Sequence, residues 1–223
     1  MKNRRPGPEP MAQFFNLRAQ RYDQVHLGHV DGGQATKDLV AGLLPEGTCA
    51  ILDLGCGTGL ELEAVYARFP ETRVTAVDIA EDMLQKLRER FPAQEMEIVR
   101  ESYLDMDFGA ARYDAVITVM SLHHLSPKQK AALFARIHDC LRPGGVFLNC
   151  DYFAPARAYE LYRRLLLWAL RKPPGSVHFD IPFTARHELA LLRRAGFRCK
   201  AAWRKRKTWV LAAEAERIPA IFR

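Results

Sequence analysis

The stretch "ILDLGCGTGLE", Ile51–Glu61, places a run of apolar residues directly before three glycines at alternate positions, Gly55, Gly57 and Gly59. The apolar part, from Cys49 to Leu54, reads as a short buried strand, and the residues from Gly59 onward as the start of a helix. Glycines between the two allow positive φ and leave no side chain between the backbone and a ligand. The helix behind them offers unpaired N–H groups and the positive end of its dipole.

Outward from this loop the chain alternates. "GLELEAVYARF" reads as a helix stopped by Pro70, "RVTAVD" as a strand, "AEDMLQKLRERF" as a helix ended by Pro92, and "MEIVRE" and "YDAVITV" as strands. "SPKQKAALFARIHDCL" follows as a helix with Ser126 as N-cap and Pro127 at its first position, and then "GGVFLNCDYF" as a strand. Strands alternating with helices predict a doubly wound α/β fold, a mostly parallel sheet covered on both faces. Two helices, "MAQFFNLRAQRYDQV" and "GQATKDLVAGLL", precede the first strand, and "TARHELALLRRAGF" is a late helix closed by Gly196. "RCKAAWRK" and "TWVLAAE" are too close for anything but an antiparallel hairpin, which makes seven strands. The expected organisation is a tail and covering helix over 1–30, a ligand-binding core over 31–154, an inserted helix and loop over 155–182, and a helix and hairpin completing the sheet over 183–223.

Composition bounds the partners. A chain of 223 residues, 48% hydrophobic and 26% charged, can bury one sizeable core. Its longest apolar run, Leu165–Leu170, is far short of a membrane span. The start, "MKNRRPGPEP", lacks the pattern of a secretory signal and reads as a disordered tail. Five scattered cysteines with no C-x-x-C pair point to reduced, cytoplasmic thiols, with neither disulfides nor a metal site. The net charge of +7 is uneven: residues 151–223 carry +10 and the rest −3. That excess is either solvated helix surface or a face for an acidic partner.

The glycine spacing is G-x-G-x-G, so it matches neither the dinucleotide fingerprint nor, lacking G-K-[ST], the Walker loop. Asp78 ends the second strand, where a carboxylate can accept hydrogen bonds from both hydroxyls of a ribose; the competing role is a cap on the next helix. "ILDLGCGTGLE", "VTAVDIAEDML", "YDAVITVMSLHHL" and "LRPGGVFLNCDY", in this order and spacing, resemble the motifs of class I S-adenosylmethionine-dependent methyltransferases of the small-molecule type. The resemblance implies a Rossmann-like fold with S-adenosylmethionine as cofactor. It makes Asp53, Gly55, Cys56, Gly57 and Gly59 the wall around the methionine part, Asp78 the ribose ligand, Ile79 the packing on adenine, and Met83 a further cofactor contact. Where the family usually has G-D-A, this chain has "ESY", so Ser102, the Tyr103 backbone and the Tyr103 ring would hold adenine. Val119 and Ser121 would line the methyl side.

At the same edge, His123 and His124 are candidates for a base or a substrate donor, or for ordinary structural histidines. Asp151 and Tyr152 end the fifth strand there, and Tyr22 reaches it from the N-terminal helix. His178, in the inserted "SVHFDIP" loop, is expected in a lid over the substrate. On the inserted helix, Arg157, Arg164 and Arg171 are expected to face solvent or a substrate, while Leu161, Leu165 and Trp168 pack inward. The acceptor implied is a small molecule with an O, N or C nucleophile. The alternatives are tRNA held by the basic C-terminal third, and a non-catalytic, cofactor-binding subunit.

Overall fold

Seven strands form one sheet in the order β3-β2-β1-β4-β5-β7-β6. A computed structural model describes residues 8–29 and 33–215, and within it the strands are β1 (Ala50–Leu54), β2 (Arg73–Asp78), β3 (Met96–Arg100), β4 (Tyr113–Val119), β5 (Leu141–Tyr152), β6 (Phe197–Lys205) and β7 (Thr208–Ala215). β1 to β5 pair in parallel, while β7 lies antiparallel between β5 and β6. Every residue of β1 is buried, which is why its sequence is a continuous apolar run without alternation. The order reverses between β1 and β4, so the loops after these strands open onto one crevice.

The helices are α1 (Met11–Asn16), α2 (Tyr22–His29), α3 (Gly33–Leu43), α4 (Leu62–Arg68), α5 (Glu81–Arg90), α6 (Pro127–Cys140), α7 (Arg157–Ala169) and α8 (Ala185–Arg194). One apolar layer holds Leu133, Phe134, Ile137 and Leu192 against one face of the sheet, and a second holds Val40, Leu62, Val65 and Leu84 against the other. α6 begins with a capping box: the Ser126 hydroxyl accepts from Gln129 N, the Gln129 side chain accepts from Ser126 N, and Pro127 follows. Beneath it lies a polar network. Lys130 Nζ donates to both Glu188 oxygens at 2.8 Å, Asn149 Nδ2 donates to Glu188 at 3.1 Å, and Thr118 donates to Asn149 at 3.0 Å.

Three local expectations are corrected. The first predicted helix is broken: α1 ends at Asn16, a 3-10 turn spans Ala19–Arg21, and α2 restarts at Tyr22. Asn16 is diverted to accept from Asp82 N at the start of α5. The helix after the glycine loop begins three residues late, at Leu62, because Gly59 at φ +72° still belongs to the loop. The tail reading covers residues 1–10, of which 1–7 lie outside the described residues, but Glu9 and Pro10 are placed. Pro10 bridges Val177, and His178 N donates to the Glu9 carbonyl at 2.9 Å.

α7 overturns its predicted orientation. Leu161, Leu165 and Trp168 are exposed at 45%, 63% and 78%, while Glu160 and Leu167 are buried. Glu160 takes the inward position because it has partners there: Arg157, His187 Nδ1 at 2.6 Å and Thr184 N at 3.3 Å. A buried carboxylate with three donors is tolerated where an unpaired one is not.

Candidate functional site

The three glycines of the first loop prove to be there for different reasons. A Cβ on Gly55, at φ +75°, would lie 2.2 Å from Ser121 Oγ, so the loops after β1 and β4 interlock at this point. A Cβ on Gly59 would lie 2.3 Å from Leu87 Cδ1, so this glycine lets α5 pack close and does not face the ligand space. At Gly57 the added atom would meet nothing nearer than Tyr22 at 4.0 Å; it would project into open space.

That space is a cleft of about 680 Å³ lined by Tyr22, Gly55, Gly57, Asp78, Ile79, Met83, Ser102, Tyr103, Val119, Ser121 and His124. The sequence did not point to the rest of its wall, which is Leu104, Met120, Leu125 and a roof of Met11, Phe15 and Gly175. The roof is composite. α1 is held to the inserted loop by the Pro10–Val177 bridge and by Phe14 stacked on His178 at 3.4 Å. No periodicity in either segment announces that contact, because it joins residues more than 160 positions apart.

Asp78 binds the loop: Oδ2 accepts from Gly57 N at 3.0 Å, and Oδ1 accepts from Ala80 N at 2.8 Å. Burial raises its pKa, against the pull of these N–H donors. The cap reading does not hold: the N-cap of α5 is Ala80, with no side-chain bond, and Asp78 braces the turn before it while still lining the cleft. The Ser102 hydroxyl accepts from Leu104 N at 3.2 Å, which shapes the turn. Tyr103 hydrogen-bonds Ser121 through its hydroxyl, and burial pushes that phenol upward in pKa.

Next to the cleft a small recess is lined by Tyr22, His26, Gly55, Cys56, Gly57 and Glu61. Asp53 lies beneath it, fully buried, with no hydrogen-bond donor to either oxygen. Glu61, also buried, pairs with it, and burial raises both carboxyls, Asp53 well above the usual range. Arg90 and Lys37 act on Glu61, but no N–H donor reaches Asp53, so a positively charged or N–H-rich ligand would lower the cost of burying the pair. Cys56 packs into the core, and burial drives its thiol pKa up.

The two histidines differ. His123 stands outside the cleft wall, with Nδ1 2.7 Å from Asp151 Oδ1 and its ring 4.3 Å from that of Tyr152. This bond and the one from Tyr152 N both fall on Asp151 Oδ1, while its Oδ2 is buried without a partner; none of Asp151, Tyr152 and His123 lines the cleft, so they form a supporting layer and not a wall. His124 faces the cleft. Its Nδ1 lies 3.3 Å from the Phe179 carbonyl, and its Nε2 is buried without a partner. Desolvation and the neighbouring His123 and His178 rings hold its pKa well below that of a free imidazole. Donation from Nδ1 to Phe179 leaves a lone pair on Nε2.

Asp180, unmarked by any sequence signal, places Oδ1 3.5 Å from His124 Nδ1 and 3.6 Å from His123 Nε2, and the same carboxylate bonds Tyr152. These His and Asp atoms lie within 4.8 Å of one another, a grouping of metal-ligand composition. The Nδ1 proton directed at Phe179 takes away one of its donors. His178 sits behind this group, stacked on Phe14 with its ring 5.0 Å from His124, and contributes nothing to the cleft wall.

The site fits S-adenosylmethionine from end to end. The recess that Glu61 lines, with Asp53 buried behind it, suits a charged amino end, Asp78 suits a ribose, and Ile79, Met83 and Leu104 suit a flat apolar base. Gly57→Val meets no neighbouring atom but forces a β-branched residue to φ +52°, so the variant should lose some stability and, in the protein that remains folded, lose S-adenosylhomocysteine binding in calorimetry. A folded variant that still binds would put the ligand elsewhere.

Comparison with known proteins agrees. Residues 51–145 match the family model described as "Methyltransferase domain". An uncharacterised methyltransferase of Mycobacterium tuberculosis is 30% identical over 118 residues, 53% of this chain and 58% of that protein. An O-methyltransferase of Penicillium expansum is 30% identical over 126 residues, 55% of this chain and 45% of that protein. The chain thus spans about half the length of the curated relatives it matches. The fold is shared with human N-acetylserotonin methyltransferase, solved with its S-adenosylmethionine, at a TM-score of 0.65 and 18% identity over 92% of this chain and 56% of that one. Crevice, glycine loop and family model together identify residues 51–145 as a class I S-adenosylmethionine-dependent methyltransferase domain.

Proposed function

We propose that the chain methylates a small molecule at an O–H or N–H group, with His124 as the base. The observation that carries this reading is His124, which lines the cofactor cleft and whose buried Nε2 has no partner. S-adenosylmethionine, when bound, supplies a methyl group already activated on a sulfonium. The protein then has to align the acceptor, exclude water and remove one proton. His124 Nε2 takes that proton. Nδ1 remains donated to Phe179, and the Asp180 carboxylate 3.5 Å away stabilises the imidazolium that forms. His123 and Asp151 position this pair from behind, as Tyr152 does through Asp180.

The roof of α1 and Gly175 favours an acceptor small enough to be enclosed, over a base on a polynucleotide. The carboxyl environment supports the cofactor assignment by a separate test. Asp78→Ala should weaken S-adenosylhomocysteine binding by about 1.5–3 kcal/mol, as for a hydrogen bond to a charged group, with NAD silent throughout. Wild-type affinity in that variant would reduce Asp78 to a loop brace. Transfer of labelled methyl into fractionated small molecules and, in parallel, total RNA decides the acceptor class. Label confined to RNA would overturn the small-molecule reading, and binding without any transfer would leave a cofactor-binding subunit.

A further inference from the structure

The outward face of α7 is the most apolar exposed surface among the described residues. Of the eight large hydrophobic side chains that stand exposed, six fall between Tyr159 and Leu170: Tyr159, Leu161, Tyr162, Leu165, Trp168 and Leu170. Leu161, Leu165 and Trp168 recur at i, i+4 and i+7, so they form one stripe. They line a groove of about 960 Å³ with Arg164 and Lys172 at its rim. The groove's inner wall includes Ser126 and Pro174, each the chain neighbour of a residue that lines the cofactor cleft, Leu125 and Gly175.

Charge decides what can cover this face. Between Pro155 and Gly175 there are five cations, Arg157, Arg163, Arg164, Arg171 and Lys172, and a single acid, Glu160. Glu160 is fully buried and bonded inward, so no carboxylate on this helix offsets the outward cations. A second copy packed on the same face would set Arg164, Arg171 and Lys172 against their own equivalents with nothing to neutralise them. RNA would meet aliphatic and indole groups at the centre, where it needs phosphate contacts. Apolar and aromatic side chains flanked by Arg and Lys match an anionic bilayer: the stripe enters the acyl boundary and the cations reach the headgroups.

We infer that α7 docks the protein on an anionic lipid surface, beside the mouth of the cofactor cleft. The inference does not depend on methyl transfer and is tested without it. The full chain is sedimented with vesicles of phosphatidylcholine alone or with about one-third phosphatidylglycerol. Wild type should partition onto the anionic vesicles, release in high salt, and show a blue shift of Trp168 emission that Trp168→Phe removes. Leu165→Ser with Trp168→Ser alters only outward residues, so it should fold as wild type and lose binding about tenfold or more. Arg164→Gln, Arg171→Gln and Lys172→Gln together should lose it about a hundredfold at low salt. Equal binding to both kinds of vesicle, no binding to either, or a serine variant that binds as wild type would each overturn the inference. So would a dimer in analytical ultracentrifugation that the serine variant abolishes, or RNA binding that only the glutamine variant loses.

Discussion

His124→Gln should slow single-turnover methyl transfer by about 10²–10⁴-fold while S-adenosylhomocysteine affinity stays within about twofold of wild type. Glutamine keeps the approximate volume and can still donate to Phe179, so the loss isolates the Nε2 lone pair. The pH dependence follows from burial. A His124 held well below the ordinary value is already neutral at pH 7, so the rate should be flat from about pH 8 down through the usual histidine pKa of about 6.5 and fall only below it. An acid limb centred at or above pH 7, or a variant as fast as wild type, would remove His124 as the base. His123→Gln should leave cofactor affinity alone and lower the rate less, because His123 acts only by bracing its neighbours.

The second large effect is on stability. Lys130→Met should destabilise the fold by about 3–5 kcal/mol, the cost of leaving a buried charge unpaired. Glu188 is fully buried and takes both of its strong bonds from the Lys130 ammonium, and without it only Asn149 remains as donor. Burial already raises the Glu188 pKa, with Lys130 as the main opposing influence. Removing both charges with Lys130→Met and Glu188→Met should recover much of the loss, since two apolar groups need no partner. Urea unfolding of the three proteins checks this, and a single variant within about 1 kcal/mol of wild type would show that the pair is solvated.

Which parts of this were legible beforehand follows from whether the determinant was local. β1, the glycine loop and Asp78 were readable because continuous burial and ligand approach write themselves into consecutive residues. Ser126 and Pro127 announced the start of α6 for the same reason. α7 was misread because a hydrophobic stripe was assumed to face the core, whereas His187 and Thr184, distant in sequence, draw Glu160 inward. The choice between His123 and His124 depended on Asp151, Phe179 and Asp180, of which only the first lies on a recognisable strand end. Met11 and Phe15 reach the cleft only because Pro10 meets Val177, a pairing that no local pattern encodes.

The interlock of Gly55 with Ser121 carries a consequence for how such a chain can diverge. The space a Cβ would need at position 55 is taken by Ser121 Oγ at 2.2 Å and Ser121 Cβ at 2.8 Å, so position 55 cannot vary independently of position 121. A descendant could gain a side chain at 55 only after 121 had shrunk to glycine. That intermediate would lose the bond from the Ser121 hydroxyl to Tyr103 on the cleft wall and keep only the one from the Tyr103 hydroxyl to the backbone carbonyl. Drift at position 55 alone is therefore closed, and a change in the first loop there has to follow one in the fourth-strand loop.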